Sequence, residues 1–246
     1  MTKLKIGIIG YGDFTKVLIT MLAPYADIVV SSRQNRVDAA GVRFVKLEEA
    51  LAQPIIIPSF PSQYFKAFFS QYGVMVNSKA LVIDVCSVKV NPLAVLEKYL
   101  PASCSIVGTH PMFGPASIQK NGGVRDLKCA YVPTRIAAES ESLVRNFISH
   151  TLGLKIIETT PAEHDKSMAY VQGLSHYIGR VMDEMAIPDT PLATMAYEDL
   201  LDMKRIQGSD SWDLFMSIVH ENPYASQVRN EFSRACHSLN TKIEQK

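Results

Sequence analysis

The residues best suited to chemistry stand together in Gly108-Thr109-His110-Pro111-Met112-Phe113-Gly114-Pro115. They follow Ser105-Ile106-Val107, a short apolar run that reads as a strand. The glycines and prolines then predict an end to regular structure. A histidine on a rigid turn at a strand's C-terminal end is placed for proton transfer, because imidazole titrates near neutral pH. A loop histidine that only satisfies backbone carbonyls is the alternative. A second chemical stretch, Asp84-Val85-Cys86-Ser87-Val88-Lys89, follows another strand. In a parallel sheet the two loops open on the same edge. There a hydroxyl at Ser87 can hold His110 in one tautomer. Lys89 can close on a carboxylate or cap a helix.

Such loops need a sheet to carry them. Apolar runs predict strands at 4–9, 27–31, 54–58, 80–85, 104–107, 129–132 and 155–158. Helices are predicted at about 16–23, 47–52, 63–72, 92–100 and 139–151. Strands alternating with helices make an α/β fold with a Rossmann-type, doubly wound parallel sheet. After Pro161 the strands stop. One long amphipathic helix is predicted over 163–186, ended by Pro188 and Pro191. Further helices follow at about 192–206, 211–220 and 223–242. The expected division is a dinucleotide-binding domain over 1–160 and a small all-helical domain over 161–246, for substrate binding and dimerisation.

The first strand leads into Gly10-x-Gly12-x-x-Thr15 and then a helix. That is the context of a dinucleotide fingerprint: Gly10 for the tight turn, Gly12 for close approach to a pyrophosphate, the helix N-terminus for the anion. Thr15 replaces the third glycine and should loosen helix–strand contact slightly. Gly10, Gly12, Asp13, Phe14, Thr15 and Thr109 are the expected cofactor contacts on this edge. An NAD enzyme usually carries an acidic residue at the end of the second strand. Here the residues are Ser31, Ser32 and Arg33, with Arg36 nearby. Ser32 and Arg33 suit a 2′-phosphate, so NADP is favoured over NAD. A solvated Arg33 is the alternative.

Composition excludes several classes. A net charge of +1 over 246 residues gives no footprint for nucleic acid. No apolar run reaches membrane-spanning length. Met1-Thr2-Lys3-Leu4-Lys5 leads directly into a strand, so no signal peptide and a cytoplasmic location are expected. The four cysteines, at 86, 104, 129 and 236, lack zinc spacing and are expected as reduced thiols. His164 and His176 are too far apart for a helical ligand pair, so no metal is expected. The absence of Gly-x-Ser-x-Gly argues against a Ser–His hydrolase.

Taken in order, Gly10-x-Gly12, Asp84-x-x-Ser87-Val88-Lys89 and Gly108-Thr109-His110-Pro111-Met112-Phe113-Gly114 resemble the prephenate/arogenate dehydrogenase family of tyrosine biosynthesis. His164-Asp165, then His176, looks like that family's segment entering its helical domain. Arg205-Ile206-x-x-Ser209-Asp210 looks like its substrate-arginine motif. The resemblance implies oxidative decarboxylation of a cyclohexadienol, with His110 accepting the hydroxyl proton and Ser87 orienting the reacting group. It implies that Arg205 pairs with a substrate carboxylate and that His176 anchors the substrate. Gln172 shares a helix face with His176, and Lys89 is a further substrate contact. Ser32-Arg33 and the short helical domain resemble the arogenate-using members. A β-hydroxyacid dehydrogenase or imine reductase of similar fold, or a non-catalytic NADP sensor, are the competing readings. The apolar stripe of Met168, Val171, Leu174, Ile178, Val181 and Met182 predicts a homodimer through the helices.

Overall fold

The computed structural model describes residues 3–34, 42–208 and 210–245. It consists of two compact units, Met1–Pro161 and Ala162–Lys246.

The first unit carries one sheet of eight strands: β1 (Leu4–Ile9), β2 (Ala26–Ser31), β3 (Val42–Phe44), β4 (Ile55–Pro58), β5 (Leu81–Asp84), β6 (Ser105–Pro111), β7 (Lys128–Arg135) and β8 (Lys155–Glu158). Its order is β3-β2-β1-β4-β5-β6-β7-β8. Every neighbouring pair is parallel except β6 with β7. The helices are α1 (Asp13–Leu22), α2 (Leu47–Leu51), α3 (Phe65–Tyr72), α4 (Val90–Tyr99), α5 (Pro115–Asn121) and α6 (Ala138–Asn146).

The central strands are largely apolar because helices cover both faces. Ile9 and Val29 join Phe65, Phe69, Leu93 and Leu96 in one cluster. Their neighbours Ile8 and Val30 point the other way, into a cluster with Leu18 and Leu22. β1 pairs with β2 on one side and β4 on the other. The sheet therefore changes winding direction at β1, and the crevice of a doubly wound sheet lies at the C-terminal ends of β1 and β4. Gly10 and Ser59 follow those two strands, and Ser59 donates its N–H to the Ile9 carbonyl at 2.8 Å.

The structure departs from the sequence reading at several points. β6 does not stop at Val107 but runs through His110 to Pro111, paired with β7. Gly108 is not a turn. A Cβ there would lie 2.9 Å from Leu93 Cδ1 and 3.2 Å from Val132 Cβ, so the glycine admits α4 against the strand. Pro111 ends the strand, where its missing donor costs least. β7 is antiparallel because the segment 112–127 holds only the short α5 and returns alongside β6. β3 and α5 are elements that the apolar periodicity does not mark. Arg36 and Ser209 lie outside the described residues.

The second unit is helical: α7 (Pro161–Met168), a π-helical stretch (Ala169–Leu174), α8 (Ser175–Glu184), α9 (Met195–Gly208), α10 (Trp212–Val219) and α11 (Ala225–Glu244). The long helix of the sequence reading is therefore interrupted by a π turn. Small residues set its packing. A Cβ on Gly179 would meet Gln207 Cβ at 2.5 Å, so α8 and α9 are in close contact there. Ser211 caps α10, accepting the Leu214 N–H at 3.2 Å. The apolar stripe is split: Met168 is buried, whereas Val171 is 61 % exposed. Among the described residues no helix is long and apolar enough to cross a membrane.

Candidate functional site

The glycine loop after β1 has the shape its sequence requires. Gly10 adopts φ +103°, and a Cβ there would stand 2.3 Å from the Ser59 carbonyl oxygen. Nothing lies within 4 Å of the place a Gly12 Cβ would take. One glycine is closed in by backbone and the other opens onto free space, a cradle that fits an approaching pyrophosphate. Thr15 does not loosen the helix. It is fully buried, and its hydroxyl lies 2.9 Å from Ser59 Oγ and accepts the Gly12 N–H at 3.3 Å. The third position of the fingerprint thus ties α1 to the end of β4. Asp13 is exposed and pairs with Lys16 at 2.7 Å, while Phe14 packs on the core beneath α1.

At the end of β2 the Ser32 hydroxyl accepts the Gln34 N–H at 3.3 Å. Arg33 lies over the Tyr64 ring, 5.9 Å from its centroid. Asp27, at the other end of β2, lies 3.7 Å from Lys3. Among the described residues no carboxylate stands at the C-terminal end of β2, where an NAD enzyme usually carries one.

On the same edge, Asp84 organises the loop that bears Ser87. Its Oδ1 accepts the Cys86 N–H at 3.0 Å, and its Oδ2 faces the Lys89 ammonium. Its backbone carbonyl accepts the Thr109 hydroxyl at 2.8 Å. Asp84 and Lys89 side chains are both 0 % exposed. Lys89, expected at a substrate, is instead an internal counterion. Thr109, expected at the cofactor, spends its hydroxyl on Asp84. His110 follows directly, 3 % exposed and opposite Ala130 in the β6–β7 ladder. Ser87 lies half-buried in the 85–89 loop beside it in sheet order. The parallel strands β1, β4, β5 and β6 end on one edge, so the glycine loop and His110 stand three strand spacings, roughly 14 Å, apart.

The thiols near this loop stay protonated. Burial pushes the Cys86 thiol well up, with the Asp84 carboxylate adding to it. Burial pushes Cys129 up to about 12, against the opposing pull of Lys89. No disulfide is present, and Cys236 is exposed.

In the helical unit, Gln172 sits in the π-helical stretch and His176 on α8. His176 is buried, its Nδ1 3.1 Å from Asp210 Oδ2 but out of line for a hydrogen bond. His164 Nδ1 is bonded to Asp165 Oδ1 at 2.7 Å, both side chains buried, and Asn222 donates to the Asp165 carbonyl at 2.8 Å. The Asn222 bond fastens α7 to the segment before α11. Arg205 is 56 % exposed in its side chain and reaches three carboxylates: Asp202 at 2.7 Å, Asp189 at 3.4 Å and Glu198 at 3.8 Å. Its charge is already matched. Ser59, Tyr64, Arg180 and Trp212 were not read as site residues. Only Arg180 carried a signal, its place four residues after His176. Among the described residues no cluster of His, Cys, Asp and Glu could hold a metal ion.

A family model for the prephenate dehydrogenase nucleotide-binding domain matches residues 27–128. A second, the TYRAAT1-like C-terminal domain, matches residues 181–246. Arogenate dehydrogenase 2, chloroplastic, of Arabidopsis thaliana is 30 % identical over 263 residues, covering 98 % of this chain and 70 % of its own length. Arogenate dehydrogenase 1, chloroplastic, of the same plant is 31 % identical over 98 % of this chain, which spans 39 % of that relative. The sheet and helices superpose on Synechocystis arogenate dehydrogenase with a TM-score of 0.70 at 20 % identity, covering 98 % of this chain and 92 % of that one. Prephenate dehydrogenase from A. aeolicus, solved with hydroxyphenyl propionate and NAD+, gives a TM-score of 0.75 at 18 % identity, covering 100 % and 92 %.

The buried Asp84–Lys89 pair makes its own prediction. Lys89→Met leaves a carboxylate buried without its counterion and should cost about 3–5 kcal/mol of stability. Adding Asp84→Asn should recover part of that loss. Urea denaturation midpoints of the single and double variants measure both effects. A single variant as stable as the wild type would mean that water reaches the pair.

Proposed function

The chain belongs to the arogenate/prephenate dehydrogenase family of NAD(P)-dependent oxidoreductases, and we propose that it catalyses the oxidative decarboxylation of arogenate, or of prephenate, with NADP. The observation that carries the reading is His110, buried at the C-terminal end of β6, next to the residue bonded to Asp84. When bound, the dinucleotide supplies the hydride acceptor. Gly10, Gly12 and the N-terminus of α1 hold its pyrophosphate, and Ser32 and Arg33 its 2′-phosphate. His110 takes the proton of the C4 hydroxyl as the hydride leaves C4. The C1 carboxylate departs as CO2, and its bonding electrons complete the aromatic ring. Ser87 orients the hydroxyl towards the imidazole. Burial of the imidazole on a strand fixes its direction, which proton transfer requires. In the helical unit His176 serves the substrate from α8, with Gln172 in the π turn before it.

We also propose a homodimer formed through the helical unit. Leu192 and Met195 are 87 % and 88 % exposed and Trp212 is 61 % exposed, a large apolar surface for a small helical unit.

Three measurements test this reading. His110→Asn should lower turnover of arogenate or prephenate by about 100-fold or more in a spectrophotometric assay of NADP reduction. Equal rates in the two proteins would remove His110 from the chemistry. Arg33→Asp should move the NADP/NAD ratio of kcat/KM towards NAD, and an unchanged ratio would leave Arg33 with no part in cofactor choice. Sedimentation equilibrium at micromolar concentration should give twice the chain mass; a monomer would refute the dimer.

A further inference from the structure

Arg33 and Tyr64 come from different strands and meet across the glycine loop. Arg33 stands two residues past the end of β2, and Tyr64 six past the end of β4. Those ends flank β1 and lie two strand spacings, roughly 10 Å, apart. Backbone bonds tie the three strand ends together: Gly10 donates to the Ser31 carbonyl and Ser59 to the Ile9 carbonyl, both at 2.8 Å. The Arg33 guanidinium carbon lies 5.9 Å from the Tyr64 ring centroid. Side chains from the two strands that border β1 therefore reach each other across the loop that carries Gly10 and Gly12.

The turn that bears Tyr64 is fixed by its neighbours. Tyr64 donates its N–H to the Pro61 carbonyl at 3.1 Å, closing a single 3-10 turn over Ser62–Tyr64. Phe60 and Phe65, before and after that turn, pack ring to ring at 4.8 Å, and Phe65 is fully buried. Tyr64 is left facing out, 41 % exposed. Arg33 is exposed as well, and among the described residues no carboxylate pairs with it, whereas Arg43 on β3 meets Glu49 at 2.5 Å. An aromatic ring attracts the cation without neutralising it. It occupies the flat face of the guanidinium and leaves the in-plane N–H groups for the oxygens of a phosphate. It also restricts, before any anion arrives, the rotamers that binding would otherwise have to freeze.

We propose that Tyr64 is a positioning residue for cofactor choice: its ring holds the Arg33 guanidinium ready for the 2′-phosphate, and so favours NADP over NAD without touching the phosphate. Taking the dinucleotide to be NADP rests on the cofactor reading above. The role assigned to Tyr64 rests on its contact with Arg33 across β1.

Calorimetric titration of the full chain with NADP and with NAD reads this role without turnover. An exposed cation–π contact corresponds to about 2–5-fold in an equilibrium constant. Tyr64→Leu keeps apolar bulk and removes the π face; it should weaken NADP by about 2–5-fold and leave NAD unchanged. Tyr64→Phe should keep the wild-type preference. Arg33→Met should remove most of the preference, and adding Tyr64→Leu to it should cost nothing more, since the ring acts only through the guanidinium. A ring that merely supported the turn would affect both dinucleotides, and its loss would add to that of Arg33→Met. Equal weakening of NADP and NAD in Tyr64→Leu, no weakening of either, or additive losses in the double variant overturns the proposal. Melting temperatures establish that the variants are folded; if the leucine variant is not, Tyr64→Gln takes its place. A wild type that binds NAD as tightly as NADP refutes the NADP reading itself. A preference lost in Arg33→Met but intact in Tyr64→Leu keeps that reading and refutes only the part given to Tyr64.

Discussion

Asp84 and Lys89 face each other in a place that water does not reach. Two opposite charges buried together gain little net stability over an apolar pair of the same size, because desolvation consumes most of their attraction. What they gain is definition. Asp84 has one acceptor for the Cys86 N–H, one for Lys89 and one, on its backbone, for Thr109. A shift of the 85–89 loop would strand a buried charge, so the loop has one low-energy position. The same residue holds the strand that carries His110. The positions of Ser87 and His110 therefore depend on one carboxylate that touches neither.

A similar economy governs the glycine loop. A third glycine would let α1 approach the sheet, but this chain has Thr15, fully buried. Its hydroxyl reaches Ser59 across the switch point and accepts the Gly12 N–H. The side chain occupies the space a glycine would leave and replaces close packing by hydrogen bonds. The loop is thereby joined to both strands that border the crevice. Gly12, where an anion must come near, is left without an obstruction.

The sequence made the alternating strands, the glycine loop, the end of β2 and the helical second half legible, because each is written in local periodicity or in glycine and proline spacing. It failed where a long-range contact decides. Gly108 read as a turn, yet it is a packing gap for α4, visible only once Leu93 lies above it. β7 read as another parallel strand, because direction is set by the path of the connection rather than by the strand's own residues. Lys89 and Arg205 read as cations awaiting a carboxylate. Their partners, Asp84 for one and Asp189, Glu198 and Asp202 for the other, all lie within sixteen residues, but spacing alone did not say which would turn inward. The π turn over Ala169–Leu174 left no mark on the apolar pattern, since one extra residue per turn rotates a helical face without erasing it.

Proton chemistry at His110 also depends on what its neighbours do not do. A base works near neutral pH only if the groups beside it do not compete for the same proton. Cys86 and Cys129 are the thiols of this region, and a free thiol ordinarily loses its proton a unit or two above neutrality. Here burial removes both from that range, Cys86 with help from the adjacent Asp84 carboxylate, and Cys129 to about 12 in spite of Lys89. The Asp84–Lys89 pair and the apolar packing that holds it dry are thus linked to the thiols through one cause. The low-polarity surroundings that force the ion pair together also keep the sulfurs neutral. The imidazole is left as the group of this strand end to which the proposed reaction gives the proton.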